Sequence, residues 1–229
     1  MRTLIAGAAA PLSRSHASGR PPLRVGLIQH RWRPDAAELA RVLREVIDRA
    51  AGEGATAVFL PEITLLRYPA DTPAGPNPGA GAEDLTGGPT FALAAEAARA
   101  NGIFVHASLY EKAPAADGLG FNTAILVSPS GELVGRTRKM HIPISAGYYE
   151  DTYFRPGPPG DAYPVYAPEG LGARIGMPTC WDEWFPEVAR SYSLGGAEIV
   201  LYPTAIGSEP VFPDLDTQPL WQQVIVANG

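Results

Sequence analysis

DAAELARVLREVIDRAAGEGATAVFLPE, residues 35–62, places two hydrophobic periods side by side, and the change of period between them decides the fold class. In its first part Leu39, Val42, Leu43, Val46, Ile47 and Ala50 recur at helical spacing, Asp35 with Glu38 forms a capping-box pattern, and Gly52 supplies a stop. In its second part Thr56–Glu62 is too short and β-branched for a helix, so it predicts a buried strand that closes on an acid. Upstream, LRVGLIQ (residues 23–29) predicts another strand. Downstream come the helical TFALAAEAARANG, the strand IFVHASLY and the hairpin FNTAILVSPSGELVGRTRKM, which turns through Ser128–Gly131. ARIGMPTC then predicts a strand, EVARSYSLGG a short helix, AEIVLYP a strand, and the end of the chain a helix. Strands and helices in alternation predict a layered α/β fold. The loop from Tyr68 to Pro89, rich in proline and glycine, is long enough to be either functional or disordered.

Composition narrows the function. With 229 residues, 45% of them hydrophobic and 18% charged, the chain can bury one core of ordinary size. Its formal net charge of -6, without a long basic block, argues against nucleic acid as a partner. No apolar run reaches bilayer length, so no membrane partner is expected. A single cysteine forms no internal disulfide, and His16, His30, His106 and His141 show no ligand spacing beside it, so no metal site is expected. Residues 1–22 carry arginines, serines and alanines without acids; they read as a disordered N-terminal extension rather than a targeting signal.

The cysteine, Cys180, lies in GMPTCWDEWFPE, where a strand ends and the chain turns toward a helix. A helix N-terminus favours a thiolate, although a lone cysteine often packs as a small hydrophobe. Glu62 and Lys139 close two other predicted strands. Polar residues at the carboxyl ends of strands gather around one crevice in an α/β sheet. A carboxylate, an ammonium and a thiol meeting there supply a base, an oxyanion stabiliser and a nucleophile, whereas each alone reads as a solvated strand end.

FLPE, RKMHIP, GYYEDTYFRPG and CWDEWFPE, in that order, resemble the motifs of the carbon–nitrogen hydrolase (nitrilase) superfamily, over about residues 23–229. The resemblance implies an α-β-β-α sandwich and a cytoplasmic enzyme that hydrolyses amide, nitrile or ureido carbon–nitrogen bonds. It implies Glu62 as general base, Lys139 as oxyanion stabiliser, Cys180 as nucleophile and Glu150 as the second acid, which orients the lysine and cysteine. It needs no cofactor, and family habit implies a homo-oligomer. The chain stops at VANG, where family members continue, so a sandwich lacking its C-terminal strands is expected. Within the superfamily, KMHIP, CWDEWFPE and YPTAIGSEP are most similar to N-carbamoylputrescine amidases, which links the expected substrate to polyamine biosynthesis. Trp181, Asp182, Glu183, His141 and Tyr148 are the expected substrate-binding residues. Of these, Trp181 lends a backbone N–H to the oxyanion, and Glu183 selects a cationic substrate with help from Asp182. Pro178 removes a ladder donor just before Cys180 and marks a bulge or bend.

Other readings remain at this point. An amide or nitrile could replace the ureido substrate, and a noncatalytic binding or assembly module is the alternative of a different class. A papain-like protease needs a histidine after its cysteine, and all four histidines precede Cys180; the caspase signature is also missing.

Overall fold

The computed structural model describes residues 2–7, 19–207, 209 and 211–228. In chain order the first elements are β1 (Val25–Leu27), α1 (Ala36–Gly52), β2 (Ala57–Phe59), α2 (Pro89–Asn101), β3 (Phe104–Glu111), β4 (Phe121–Val127) and β5 (Leu133–Arg138). The five strands form one sheet in sequence order, with β1, β2 and β3 parallel and β3, β4 and β5 antiparallel. Half of the capping box that the sequence predicts for α1 forms: the Asp35 carboxylate accepts from the Glu38 N–H at 2.9 Å, whereas the Glu38 carboxylate accepts from Arg33 Nε at 3.1 Å.

Both faces of this sheet are covered, which explains why its central strands read as continuous apolar runs. On one face Val58, Val105 and Ile125 pack with Leu39, Leu43 and Ile47 of α1 and with Leu93 of α2. On the other, Phe59, Phe104 and Leu126 meet Leu171, Ile175 and Met177. That second layer is a three-stranded sheet, in spatial order Ile199–Val200, Ile175–Gly176 and Val165–Tyr166.

Two residues of hairpin on either side of a turn, β6 (Ile144–Ser145) and β7 (Tyr148–Tyr149), precede that sheet in the chain. The sheet itself comprises β8 (Val165–Tyr166), β9 (Ile175–Gly176) and β10 (Ile199–Val200). Helix α3 (Pro186–Leu194) lies on its outer side, with Tyr192 fully buried, and α4 (Gln218–Asn228) follows. The layers are therefore α-β-β-α, as the sequence implies. Leu27 shares the inner face of β1 yet is 73% exposed.

The strands are shorter than expected at the places where proline intervenes. Pairing of 56–62 stops at Phe59 because Pro61 has no N–H to donate, and the segment 173–180 is ladder only at Ile175–Gly176 because Pro178 has none either. The β6–β7 hairpin and β8 have no counterpart in the sequence reading. Of the expected N-terminal extension, residues 1 and 8–18 lie outside the described residues; Arg20 at its end pairs with Glu198.

Gly176 is the tightest joint between the second sheet and α3. A Cβ there would stand 2.2 Å from the ring of the fully buried Tyr192. Gly176→Ala is expected to destabilise the fold by about 1–3 kcal/mol through overpacking. Thermal melting checks this; an unchanged melting temperature would show that the ring has room to move.

Candidate active site

One end of the first sheet collects the polar residues. Glu62 follows β2, Asn122 is the second residue of β4, and Lys139 follows β5, where its N–H donates to the Asn122 carbonyl at 2.9 Å. The antiparallel register thus sets Asn122 and Lys139 side by side, and both reach the same oxygen. Glu62 Oε1 accepts from Asn122 Nδ2 at 2.7 Å and from Lys139 Nζ at 3.2 Å, while Oε2 accepts from the Ala205 N–H at 2.9 Å. Ile63, next in the chain, takes a left-handed φ of 49°, a conformation that strains a β-branched residue. Its N–H donates to Ser108 Oγ at 3.1 Å, which helps to hold it there.

The hairpin β6–β7 delivers Glu150. Both of its carboxylate oxygens accept from Lys139 Nζ, at 2.8 and 2.7 Å, and Oε1 also accepts from the Tyr68 hydroxyl at 2.7 Å. Lys139 is 0% exposed. Burial works against its charge, but Glu62 and Glu150 outweigh that and hold the ammonium above the ordinary lysine range. On Glu150 burial pushes upward, Lys139 pulls down, and Glu62 adds a smaller push upward. All three ammonium hydrogens already have carboxylate acceptors, so Lys139 acts on any third partner through its charge.

Cys180 starts the short 3-10 turn Cys180–Trp184 with a left-handed φ of 31°. Its N–H donates to the Pro203 carbonyl at 3.0 Å. Asp182 fixes the turn: Oδ2 accepts from the Thr179 N–H at 3.0 Å, and Oδ1 accepts from the His141 N–H at 2.9 Å and from Nδ1 of its ring at 2.7 Å. The imidazole stacks on Phe185 at 3.8 Å between centroids. Burial pushes the Cys180 thiol well above its usual range, Glu62 adds to this, and Lys139 opposes it. Burial and Glu62 thus favour the thiol over the thiolate.

Above Cys180 lies a cavity of about 180 Å3. Its walls include Trp181, Trp184 and Trp221, whose rings meet at 4.9–6.0 Å between centroids. Glu150 and Tyr68 line it, as do Tyr148 and Glu209. Glu209 accepts from Thr217 at 2.9 Å and from the Tyr148 hydroxyl, and burial together with that carboxylate pushes the Tyr148 phenol up to about 12. No lysine, arginine or histidine lines the cavity among the described residues.

The carbon-nitrogen hydrolase family model matches residues 24–229. The chain belongs to that family. Members of this carbon-nitrogen hydrolase family act on carbon–nitrogen bonds of small molecules. The chain is 35% identical over 208 residues to a citrullinase of Francisella tularensis, covering 90% of this chain and 70% of that protein. It is 41% identical over 141 residues to an N-carbamoylputrescine amidase of Arabidopsis thaliana, covering 62% of this chain but only 45% of that protein. The match thus spans less than half the length of the plant protein. Among solved structures, a carbon-nitrogen hydrolase from Helicobacter pylori G27 superposes with a TM-score of 0.77 at 27% identity, over 90% of this chain and 68% of that one.

The fold brings Glu62, Lys139, Glu150 and the turn of Cys180 to one place. Of the expected substrate-binding residues, Trp181 and Tyr148 line the cavity, whereas Asp182, Glu183 and His141 do not. Asp182 and His141 are occupied with each other in shaping the turn. Sequence reasoning missed Tyr68, Asn122, Glu209 and Trp221. Tyr68 had a signal, because it begins the long loop singled out by its length, and Glu209 lies within YPTAIGSEP, a motif used only for its resemblance. Asn122 and Trp221 stand out only once the strand register and α4 are known.

Glu183 is 2% exposed, and its Oε1 has no hydrogen-bond partner. Burial, with a contribution from Glu62, pushes its carboxyl up to about 7 from its ordinary 4.5. Between about pH 4.5 and 7 the folded protein keeps a proton that the unfolded chain has released, so this residue makes stability fall as pH rises through that window. Glu183→Gln removes the titration. Its effect on stability is expected to be more favourable at pH 8 than at pH 4 by on the order of 2 kcal/mol. Melting curves of both proteins at the two pH values test this, and an equal difference at both would contradict it.

Proposed function

We propose that the protein hydrolyses the ureido carbon–nitrogen bond of an N-carbamoyl amine whose far end carries an ammonium group, with N-carbamoylputrescine as the best fit. The observation that carries this reading is the charge pattern of the cavity. Besides Cys180 and Glu150, its walls are tryptophan, tyrosine, aliphatic side chains, Pro143 and the hydroxyls of Ser145 and Thr217, with one further carboxylate, Glu209, and no cation among the described residues. Such a site matches a neutral ureido group at the thiol, an aliphatic chain between indoles, and a cation near Glu209, where the aromatic faces add to the attraction. The cation-selecting role that the sequence suggests for Glu183 belongs in this reading to Glu209.

The reaction uses the groups as they stand. Glu62 takes the proton from the Cys180 thiol, and the sulfur attacks the ureido carbon. The developing oxyanion feels the Lys139 charge and meets the N–H of Trp181, in the first turn after the nucleophile, where backbone donors precede the first helical bond. Glu62 returns the proton to the departing nitrogen, ammonia leaves, and a carbamoyl thioester remains. Water, activated by the same glutamate, hydrolyses that thioester, and the carbamate formed breaks down to amine and carbon dioxide.

A second reading, a ureido amino acid such as citrulline, is favoured by the 35% identity to a citrullinase. It requires a partner for an α-carboxylate, and the described lining offers no side-chain cation for one.

Ammonia release from N-carbamoylputrescine, citrulline, N-carbamoyl-β-alanine and simple amides separates these readings. N-carbamoylputrescine is expected to lead the anionic substrate by at least about tenfold in kcat/KM. Comparable rates on citrulline would move the assignment to the second reading. Cys180→Ala is expected to abolish turnover, and Glu62→Gln to lower it by about 100-fold or more. Glu209→Gln is expected to lower kcat/KM for N-carbamoylputrescine about tenfold, mainly through KM, while sparing a neutral amide. A loss shared equally by both substrates would remove Glu209 from cation recognition.

A further inference from the structure

Counting acceptor sites on Glu62 shows which of its oxygens is free to work. A carboxylate oxygen offers two lone-pair positions. Oε1 has both occupied, by Asn122 Nδ2 at 2.7 Å and Lys139 Nζ at 3.2 Å. Oε2 has one occupied, by the Ala205 N–H at 2.9 Å. The segment that supplies this donor also holds the nucleophile, because the Cys180 N–H donates to the Pro203 carbonyl two residues earlier. The stretch Pro203–Ala205 therefore ties the open oxygen of Glu62 and the backbone of Cys180 to one short piece of chain.

We propose that Asn122 is a positioning residue for the general base: together with Lys139 it occupies Oε1 and leaves Oε2 as the oxygen that takes the Cys180 proton. This deepens the function proposed above and rests on Glu62 acting as its base. In the step itself the S–H bond breaks, the proton bonds to Oε2, and the electron pair left on sulfur forms the bond to the ureido carbon.

The surroundings of Asn122 are built for this. It is 0% exposed, and its own Oδ1 lies 3.5 Å from Ser108 Oγ. Ser108 in turn latches the backbone on both sides of the strained Ile63: its hydroxyl accepts from the Ile63 N–H, its N–H donates to Thr64 Oγ1 at 3.0 Å, and its carbonyl accepts from the Thr64 N–H at 2.8 Å. A left-handed isoleucine persists where neighbouring bonds over-determine it, and such strain collects at functional sites. Here β3 fixes the path of the backbone through Glu62, and β4 fixes the carboxylate at its end.

The ionisable groups that act on Glu62 or share its field are Lys139, Glu150, Tyr68, Cys180 and Glu183. All of them remain in a variant at position 122, so a change in the pH profile isolates the amide. An N–H donor held against a carboxylate favours its ionised form, so removing the donor disfavours it.

The test compares Asn122→Leu and Asn122→Asp with the wild type over pH 5–9. Two readouts are taken: ammonia release from N-carbamoylputrescine, and the rate at which iodoacetamide alkylates Cys180, which needs no substrate. In Asn122→Leu the acid limb of kcat/KM and that of alkylation are expected to move to higher pH by about half a unit or more. Its kcat is expected to fall about 10- to 100-fold with KM within about threefold. Asn122→Asp sets a second carboxylate against Oε1 and is expected to move both limbs further. A folded variant with both limbs where the wild type has them overturns the proposal, because a merely structural asparagine would lower the melting temperature without displacing either. If Asn122→Leu does not fold, Asn122→Ser, whose hydroxyl is too short to reach Oε1, carries the same two readouts. A displaced alkylation limb in a protein that does not turn over N-carbamoylputrescine would refute the substrate reading and leave this one standing.

Discussion

A single ammonium, that of Lys139, with no exposed surface and three carboxylate oxygens within 3.2 Å, organises this molecule. Taking a lysine charge out of water costs several kcal/mol, and only well-placed opposite charges offset it. Those charges come from two other parts of the chain, the loop after β2 and the hairpin β6–β7. The cluster therefore commits three segments, 62, 139 and 150, to one point. Because Lys139 is fixed by its bond to Asn122 across the β4–β5 ladder, the register of that hairpin also becomes part of the site.

The sandwich supplies the frame for this arrangement. The first sheet is held rigid by apolar layers on both faces, so side chains at its end have few ways to move. The second sheet contributes Cys180 on one tight turn and, through Pro203–Ala205, the donor that meets Glu62. The cluster thus sits where two sheets meet at their edges, and neither sheet alone holds Glu62 together with Cys180. The described cluster has one cation for two carboxylates and a thiol, a charge balance that disfavours a thiolate.

The sequence made much of this legible, and its failures have physical causes. Strand-terminal Glu62, Lys139 and Cys180 were readable because an apolar run that stops at a charged or reactive residue is a local signal, and α1 was readable because its cap and its period agree. Strand lengths were not, since proline truncates a ladder while the apolar pattern runs on through Leu60 and Met177. Glu183 shows a different limit. Its neighbours in the sequence suggest a solvated acid facing a substrate, yet the turn Cys180–Trp184 rotates it into the interior, where it is 2% exposed. Glu209, far from any strand end, acquires its place through Thr217 and Tyr148, contacts that no periodicity encodes.

Three of the four tryptophans of the chain form the wall over Cys180, and the fourth, Trp32, does not line the cavity. Trp221 reaches that wall from α4, whose Asn228 also binds the Glu183 carbonyl at 2.6 Å. Ultraviolet emission of the protein therefore originates mostly at the cavity. Indole fluorescence responds to nearby charge and to water, so a ligand entering, or α4 lifting from the nucleophile turn, changes the signal of most emitters at once. The chain carries its own optical gauge of site occupancy, with no label attached.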